Sequence, residues 1–359
     1  MTYEMTYKMP RRNFLRNSLG LLAAGQGAGL LAAAEPARAA AQQASPPTST
    51  PPSSAPPTSA QPTNNPVSAK LFPGFRQMRI KTSGATIQAV AGGSGPAVLL
   101  LHGHPETHLA YHKIAPRLAE RFSVVSADLR GYGDSSHPPG GQSHFNYSKR
   151  AMGQDMAEVM THLGFERFAV AGHDRGARVV TRMALDYPDR VTHLAVLDNL
   201  PTRTMFQRVD KDFAMQYYHW FFRAQPAPLP ETLIGNSVEF YLRRSFSSAP
   251  PGTVSDEVFA EYLRCYRNPE VIHGVCEDWR AAAGIDLEHD EADWSRKIAC
   301  PVLALWAGRG NLPKFFGDVV ARWREKAVDV RGKALDSGHL LAEQAPDQVF
   351  AEFNAFFAA

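Results

Sequence analysis

The string AGHDRGAR, residues 171–178, anchors the organisation of everything around it. Ahead of it RFAVAGH is a short apolar run, as expected for a strand buried on both faces. Behind it ARVVTRMALDYP has helical character and stops at Pro188. A strand therefore turns directly into a helix through Gly172, His173, Asp174, Arg175 and Gly176. Glycines two before and two after the central residue relieve crowding at so sharp a turn. Such an elbow lifts one side chain, here Asp174, above the sheet at the amino end of a helix, where an anion is favoured. A serine in that position would need a base. A carboxylate, with an ordinary pKa of about 3.9, is already ionised at neutral pH. It is suited to direct attack on a carbon that bears a leaving group, giving an ester on the enzyme. The plainer alternative is that Asp174 only caps the helix, and the partners described below argue against it.

Working outward, strand and helix signals alternate. FRQMRIKTSGATIQAVAGG from Phe75 has the pattern of a hairpin with Ser-Gly at its turn. AVLLL (97–101), FSVVSADL (122–129), RFAVAGH, VTHLAVLDNL and PVLALWAG (301–308) are further strand candidates. Met152, Met156, Val159, Met160 and Leu163 fall at helical spacing, and a helix near 314–326, a strand near 327–333 and a final helix at 346–357 close the chain. This alternation predicts an α/β architecture, a mostly parallel sheet covered by helices on both faces. The pattern breaks for an aromatic, Pro-containing, mainly helical insert at 201–295, directly after the strand ending at Asp198. The expected organisation is a core of 67–200 and 296–359, with 201–295 as a cap over the carboxyl ends of the strands, where such sheets bind ligands.

Composition agrees. The 359 residues are 44% hydrophobic and 20% charged, with 5 Trp, 11 Tyr and 20 Phe, a globular profile. Five of the 38 basic and two of the 35 acidic residues fall in the first 39 positions, so the rest balances at 33 against 33. A neutral body without a long Lys/Arg run has no electrostatic footprint for nucleic acid. Cys265, Cys276 and Cys300 have no metal-type spacing, and a Cys265–Cys276 bridge is left open. Histidines 102, 104, 108 and 112 raise the idea of a metal, but a loop and helix of the fold account for them more simply, and no metal or organic cofactor is expected.

The amino terminus has a different character. PRRNFLR (10–16) precedes a weak apolar run, LGLLAAGQGAGLLAAA (19–34), and then Ala37-Arg38-Ala39. Paired arginines followed by Phe-Leu resemble a twin-arginine export signal. The resemblance implies a signal peptide over 1–39, the twin-arginine translocation machinery and signal peptidase as partners, folding before export, and a periplasmic location. A transmembrane anchor is the competing reading, against which the run is short. Residues 40–66, uncharged and dense in Pro, Ser and Thr, predict a disordered linker.

With these motifs in hand, the body resembles the α/β-hydrolase fold, in the branch with an aspartate nucleophile that holds dehalogenases and epoxide hydrolases. HGHPET (102–107) is similar to the loop that donates a backbone N–H to the oxyanion hole, which implies His104 and Arg175 as the two backbone donors. His339, in SGHLLAEQAPD, matches the terminal catalytic histidine. Many members place the catalytic acid after the strand here ending LWAG, but this chain continues RGNLP with no carboxylate before Asp318. Asp198, at the end of AVLDNLP, is the other placement, so it is assigned to orient His339. Asp128, in ADLRGYGDS, is assigned a structural role.

Beside the nucleophile stand Arg175 and Arg178, whose guanidinium groups could converge as a fork for a substrate carboxylate. YYHWFFRAQPAPLPE (217–231), CEDWRA and EHD resemble the cap of fluoroacetate dehalogenases, a likeness extending over roughly residues 72–357. It implies His219 and Trp220 as halide donors, with Trp279 where that family has a third donor, a tyrosine. The implied activity is hydrolysis of a short 2-haloacid such as haloacetate, without cofactor, and a homodimer is a family-level expectation. The competing readings are an epoxide hydrolase, drawing on Tyr217, Tyr218, Tyr241, Tyr262 or Tyr266 to protonate the epoxide oxygen, and a non-catalytic binding protein on the same scaffold.

Overall fold

The computed structural model describes residues 60–359, so the proposed signal peptide (1–39) and the linker up to residue 59 lie outside the described residues. Within them, nine strands form one sheet: β1 (Gln61–Pro62), β2 (Arg76–Lys81), β3 (Thr86–Gly92), β4 (Ala97–Leu101), β5 (Ser123–Ala127), β6 (Phe168–His173), β7 (Val191–Leu197), β8 (Val302–Ala307) and β9 (Val330–Leu335). Their order is β1-β2-β3-β5-β4-β6-β7-β8-β9. The hairpin at the amino end is antiparallel, and β4 through β9 pair in parallel.

Side-chain alternation on the central strands produces two cores, one on each face. Leu99, Leu101, Val170, Leu194 and Val196 pack with Met152, Met156, Val159, Val179 and Met183, from helices Lys149–His162 and Asp174–Asp186. Val98, Leu100, Ala171, Ala195 and Leu197 pack on the other side with Val349, Phe353 and Phe356, from helix Pro346–Phe357. Strands buried on both faces need apolar residues at every position, which explains their unbroken hydrophobic runs. The insert runs as eight helices from Thr202 to Ala292, several of which pack into the first core.

Two local expectations are corrected. The segment near 314–326 is not one helix but two, Leu312–Phe316 and Val319–Arg324. Gly317, at φ +67°, ends the first, and Asp318 caps the second by accepting from Ala321 N at 3.0 Å. The linker expected to reach residue 66 gives way earlier. Gln61 and Pro62 pair with Arg79 and Met78 of β2, and Asn65 caps helix Pro66–Leu71 through Val67 N and Ser68 N. Gln77 holds this stretch from the side, donating to Asn65 O at 2.9 Å and accepting from Asn65 N at 2.8 Å. The signal was present in Asn65-Pro66, a cap residue followed by proline at the first helical position.

Candidate active site

The elbow forms as its sequence requires. β6 ends at His173, the helix begins at Asp174, and Asp174 adopts φ +46°, in the left-handed region that costs a non-glycine residue energy. A Cβ on Gly172 would lie 2.5 Å from Ala177 N, and one on Gly176 would lie 2.3 Å from Leu101 O. Only glycine fits at either place. The Asp174 carboxylate accepts from His104 N at 3.1 Å, and its backbone carbonyl accepts from the Asn199 side chain at 2.8 Å. Burial alone would raise this carboxyl, but His339, His173, Arg175 and Arg178 outweigh burial and bring it down to about 2. The group is an anion at any pH where the protein would work.

His339 faces it. Its Nε2 lies 3.9 Å from Asp174 Oδ2, and its Nδ1 lies 2.6 Å from Asp198 Oδ2. Asp198, also at φ +46°, is fixed by accepting from Ala307 N at 3.0 Å. Burial disfavours the imidazolium, yet Asp198 and Asp174 overcome it and push His339 up to about 9. Asp318, as a helix cap, and Asp336, on the surface against Arg309, take no part. Asp128 holds loops together, accepting from His108 N at 2.7 Å and Asp134 N at 3.0 Å.

A cavity of about 280 Å³ opens between the carboxyl ends of the strands and the insert. Asp174, His339, Asp198, Arg178, His219, Trp220 and Trp279 all line it. Burial and then Arg223 drive His219 down to about 3, so its ring is neutral and keeps one N–H. The Trp279 indole N–H is buried without a partner among the described residues. Arg178 donates to Thr202 Oγ1 at 2.9 Å and, although burial and Arg175 lower it to about 10, stays cationic at neutral pH.

The expected fork of Arg175 and Arg178 is not what the structure shows. Arg175 does not line the cavity. It is wholly buried, with Nε and Nη2 on the Asp278 carboxylate at 2.7 and 2.6 Å and Nη2 also on the Asp278 carbonyl at 3.0 Å. Lys149 and the Tyr132 hydroxyl donate to the same carboxylate. A carboxylate at such depth needs cations around it, and it takes the Arg175 fork for that purpose. Nη1 of Arg175 has no partner among the described residues, and Trp279 covers the group at 4.1 Å.

A family model for the alpha/beta hydrolase fold matches residues 96–314. The chain belongs to the alpha/beta hydrolase fold family. This hydrolase is 44% identical to a fluoroacetate dehalogenase from Burkholderia sp over 80% of its own length and 95% of the relative's. It is 34% identical to a soluble epoxide hydrolase from Corynebacterium sp. (strain C12), over 77% and 95%. A solved structure from Nostoc sp PCC 7120, provisionally named an alpha/beta hydrolase, superposes with a TM-score of 0.78 at 52% identity, covering 79% of this chain and 98% of that one.

Sequence reasoning missed several residues that shape the hydrolase site. His173 sits directly before Asp174, and both its ring nitrogens face oxygen acceptors: Glu106 at 2.8 Å and the His339 carbonyl at 2.8 Å. It ties the elbow to the loop that carries His339. Glu106 also accepts from Gly103 N at 3.2 Å, which steadies the loop that carries His104. Its place in HGHPET was the available signal. The thiols of Cys265, Cys276 and Cys300 are free, so the bridge left open above is not formed.

Proposed function

We propose that this hydrolase cleaves the carbon–halogen bond of a short 2-haloacid through a covalent ester on Asp174. The observation that carries the reading is a permanently ionised carboxylate at the elbow, faced at 3.9 Å by a histidine that a second carboxylate orients. Asp174 attacks the α-carbon; a C–O bond forms, the carbon–halogen bond breaks, and the halide leaves with the bonding pair. Arg178 holds the substrate carboxylate. The N–H groups of His219 and Trp220 replace water around the departing halide, and the bulkier Trp279 indole stands on the same cavity wall without supplying the third donor. Water then attacks the ester carbonyl and gives its proton to His339 Nε2, while the N–H groups of His104 and Arg175 hold the oxyanion. Collapse returns that proton to the leaving alkoxide and frees the hydroxy acid. The water oxygen stays in Asp174.

His339→Gln should trap the ester. With chloroacetate its intact mass should rise by about 58 Da, the mass of the added carboxymethyl group, and Asp174→Asn should gain nothing. Unlabelled Asp174 after a single turnover in heavy-oxygen water would overturn the scheme.

Epoxide hydrolysis is the second reading. It is favoured by Tyr217, Tyr218 and Tyr241, whose side chains line the cavity, and by the epoxide hydrolase relative. Diol formation from an epoxide without halide release from any haloacid would select it. We further propose export of the folded chain by the twin-arginine machinery, cleavage after Ala39 by signal peptidase, and a periplasmic location. Arg11→Lys with Arg12→Lys should then leave the protein in the cytoplasm on cell fractionation.

A further inference from the structure

Among the described residues six arginines are buried: Arg130, Arg175, Arg178, Arg182, Arg223 and Arg280. Four are matched to acids. Arg130 pairs with Asp155, Arg175 with Asp278, Arg182 with Asp186 and Asp293, and Arg280 with Glu231 and Glu277. The two without a carboxylate within 4.0 Å among these residues are Arg178 and Arg223, and both line the catalytic cavity. A buried guanidinium without a counter-ion is costly, so an unmatched one on a cavity wall marks the place of an anion.

Arg178 serves the carboxylate beside the reacting carbon. Arg223 belongs to a different part of the wall. It closes helix Tyr218–Arg223, its Nε donates to the Tyr241 hydroxyl, and neither Nη nitrogen has a hydrogen-bond partner among the described residues. Arg178 lies over Trp220 at 4.8 Å and Arg223 over Trp279 at 5.1 Å, with the two indoles 5.2 Å apart. The two cations thus lie over different indoles, and the one beneath Arg223 also covers Arg175. Both cations face the one cavity of about 280 Å³.

We propose that Arg223, with Tyr241, forms a second anion subsite in this cavity, and that the substrate class is a short 2-halo acid bearing a second carboxylate. The choice of leaving group rests on the function proposed above. The subsite does not, and an unreactive ligand tests it separately. Succinate and butyrate share a four-carbon chain and differ by one carboxylate. Calorimetry on the full-length protein should show succinate binding more tightly than butyrate. Arg223→Met and Arg223→Gln should reduce the succinate-to-butyrate affinity ratio roughly 10- to 150-fold, the value of a charge-assisted hydrogen bond, and Arg223→Lys should restore part of it. A ratio cancels any loss of folded protein. In the reactive arm, 2-bromosuccinate should exceed 2-bromobutyrate in kcat/KM for halide release, and the same variants should remove that preference. Equal affinities in wild type, or a ratio indifferent to Arg223, overturns the subsite. Arg223-dependent succinate binding with no halide released from either bromoacid or from chloroacetate upholds the subsite and overturns the displacement chemistry instead.

Discussion

Neutralising Asp174 should make His339 a far more available base. In the resting enzyme His339, at about 9, is unprotonated in only about one molecule in a hundred at pH 7. That is a poor base for activating water. Esterification removes the Asp174 charge, whose oxygen lies 3.9 Å from His339 Nε2. At an effective dielectric of 20 a unit charge at that distance is worth about 4 kcal/mol. The His339 side chain is 39% exposed, so solvent screening leaves roughly half, about 2 kcal/mol. The titration midpoint should then fall by about one and a half pH units, and the base-competent fraction at pH 7 should rise about 25-fold, to about a quarter of the molecules. Asp174→Asn reproduces the loss of the Asp174 charge without the added carboxymethyl group. An NMR titration of the His339 ring in wild type and Asp174→Asn measures the change directly. The sign is fixed: losing a neighbouring anion destabilises the imidazolium, so the midpoint moves down. An unchanged midpoint would mean that Asp198 alone sets it, and the timing of base activation would need another source.

Asp198→Asn should lower turnover by orders of magnitude because the imidazole loses its orienting partner, whereas Asp336→Asn, which loses only a surface pairing with Arg309, should change kcat little. Wild type should turn over bromoacetate or chloroacetate faster than fluoroacetate, and Trp279→Tyr should shift the chloride-to-fluoride rate ratio toward fluoride by about 5- to 150-fold, the value of one halide donor; an unmoved ratio refutes a role for this side chain. Asp278→Asn should destabilise the fold by about 3–5 kcal/mol, read from the urea midpoint, because Arg175 and Lys149 lose their shared buried counter-charge.

What was legible in the sequence is local. The elbow shows itself because two glycines and a strand-to-helix transition fall within eight residues. Asp198 was reached through the family resemblance, which implies two placements for the acid: LWAGRGNLP lacks one at the first, and AVLDNLP has one at the second. What was illegible depends on partners far apart in the chain. Nothing near Arg175 announces that Asp278, 103 residues later, will occupy its fork. Nothing near Arg223 announces that it will lack a carboxylate, because a missing partner leaves no local pattern. His173 was passed over for a different reason. Its neighbour Asp174 explains the motif, and its grip on the His339 carbonyl exists only after the sheet assembles.

The two-residue strand β1 sits at one end of the sheet order, with β2, β3, β5 and β4 between it and β6, which leads into Asp174. Mechanically this is a remote attachment. A tug on the chain ahead of Gln61 meets the short ladder to β2 before it meets the strands that carry Asp174 and Asp198. Pro62 offers no N–H to an intruding chain, so the same short strand also screens the β2 edge from unwanted pairing.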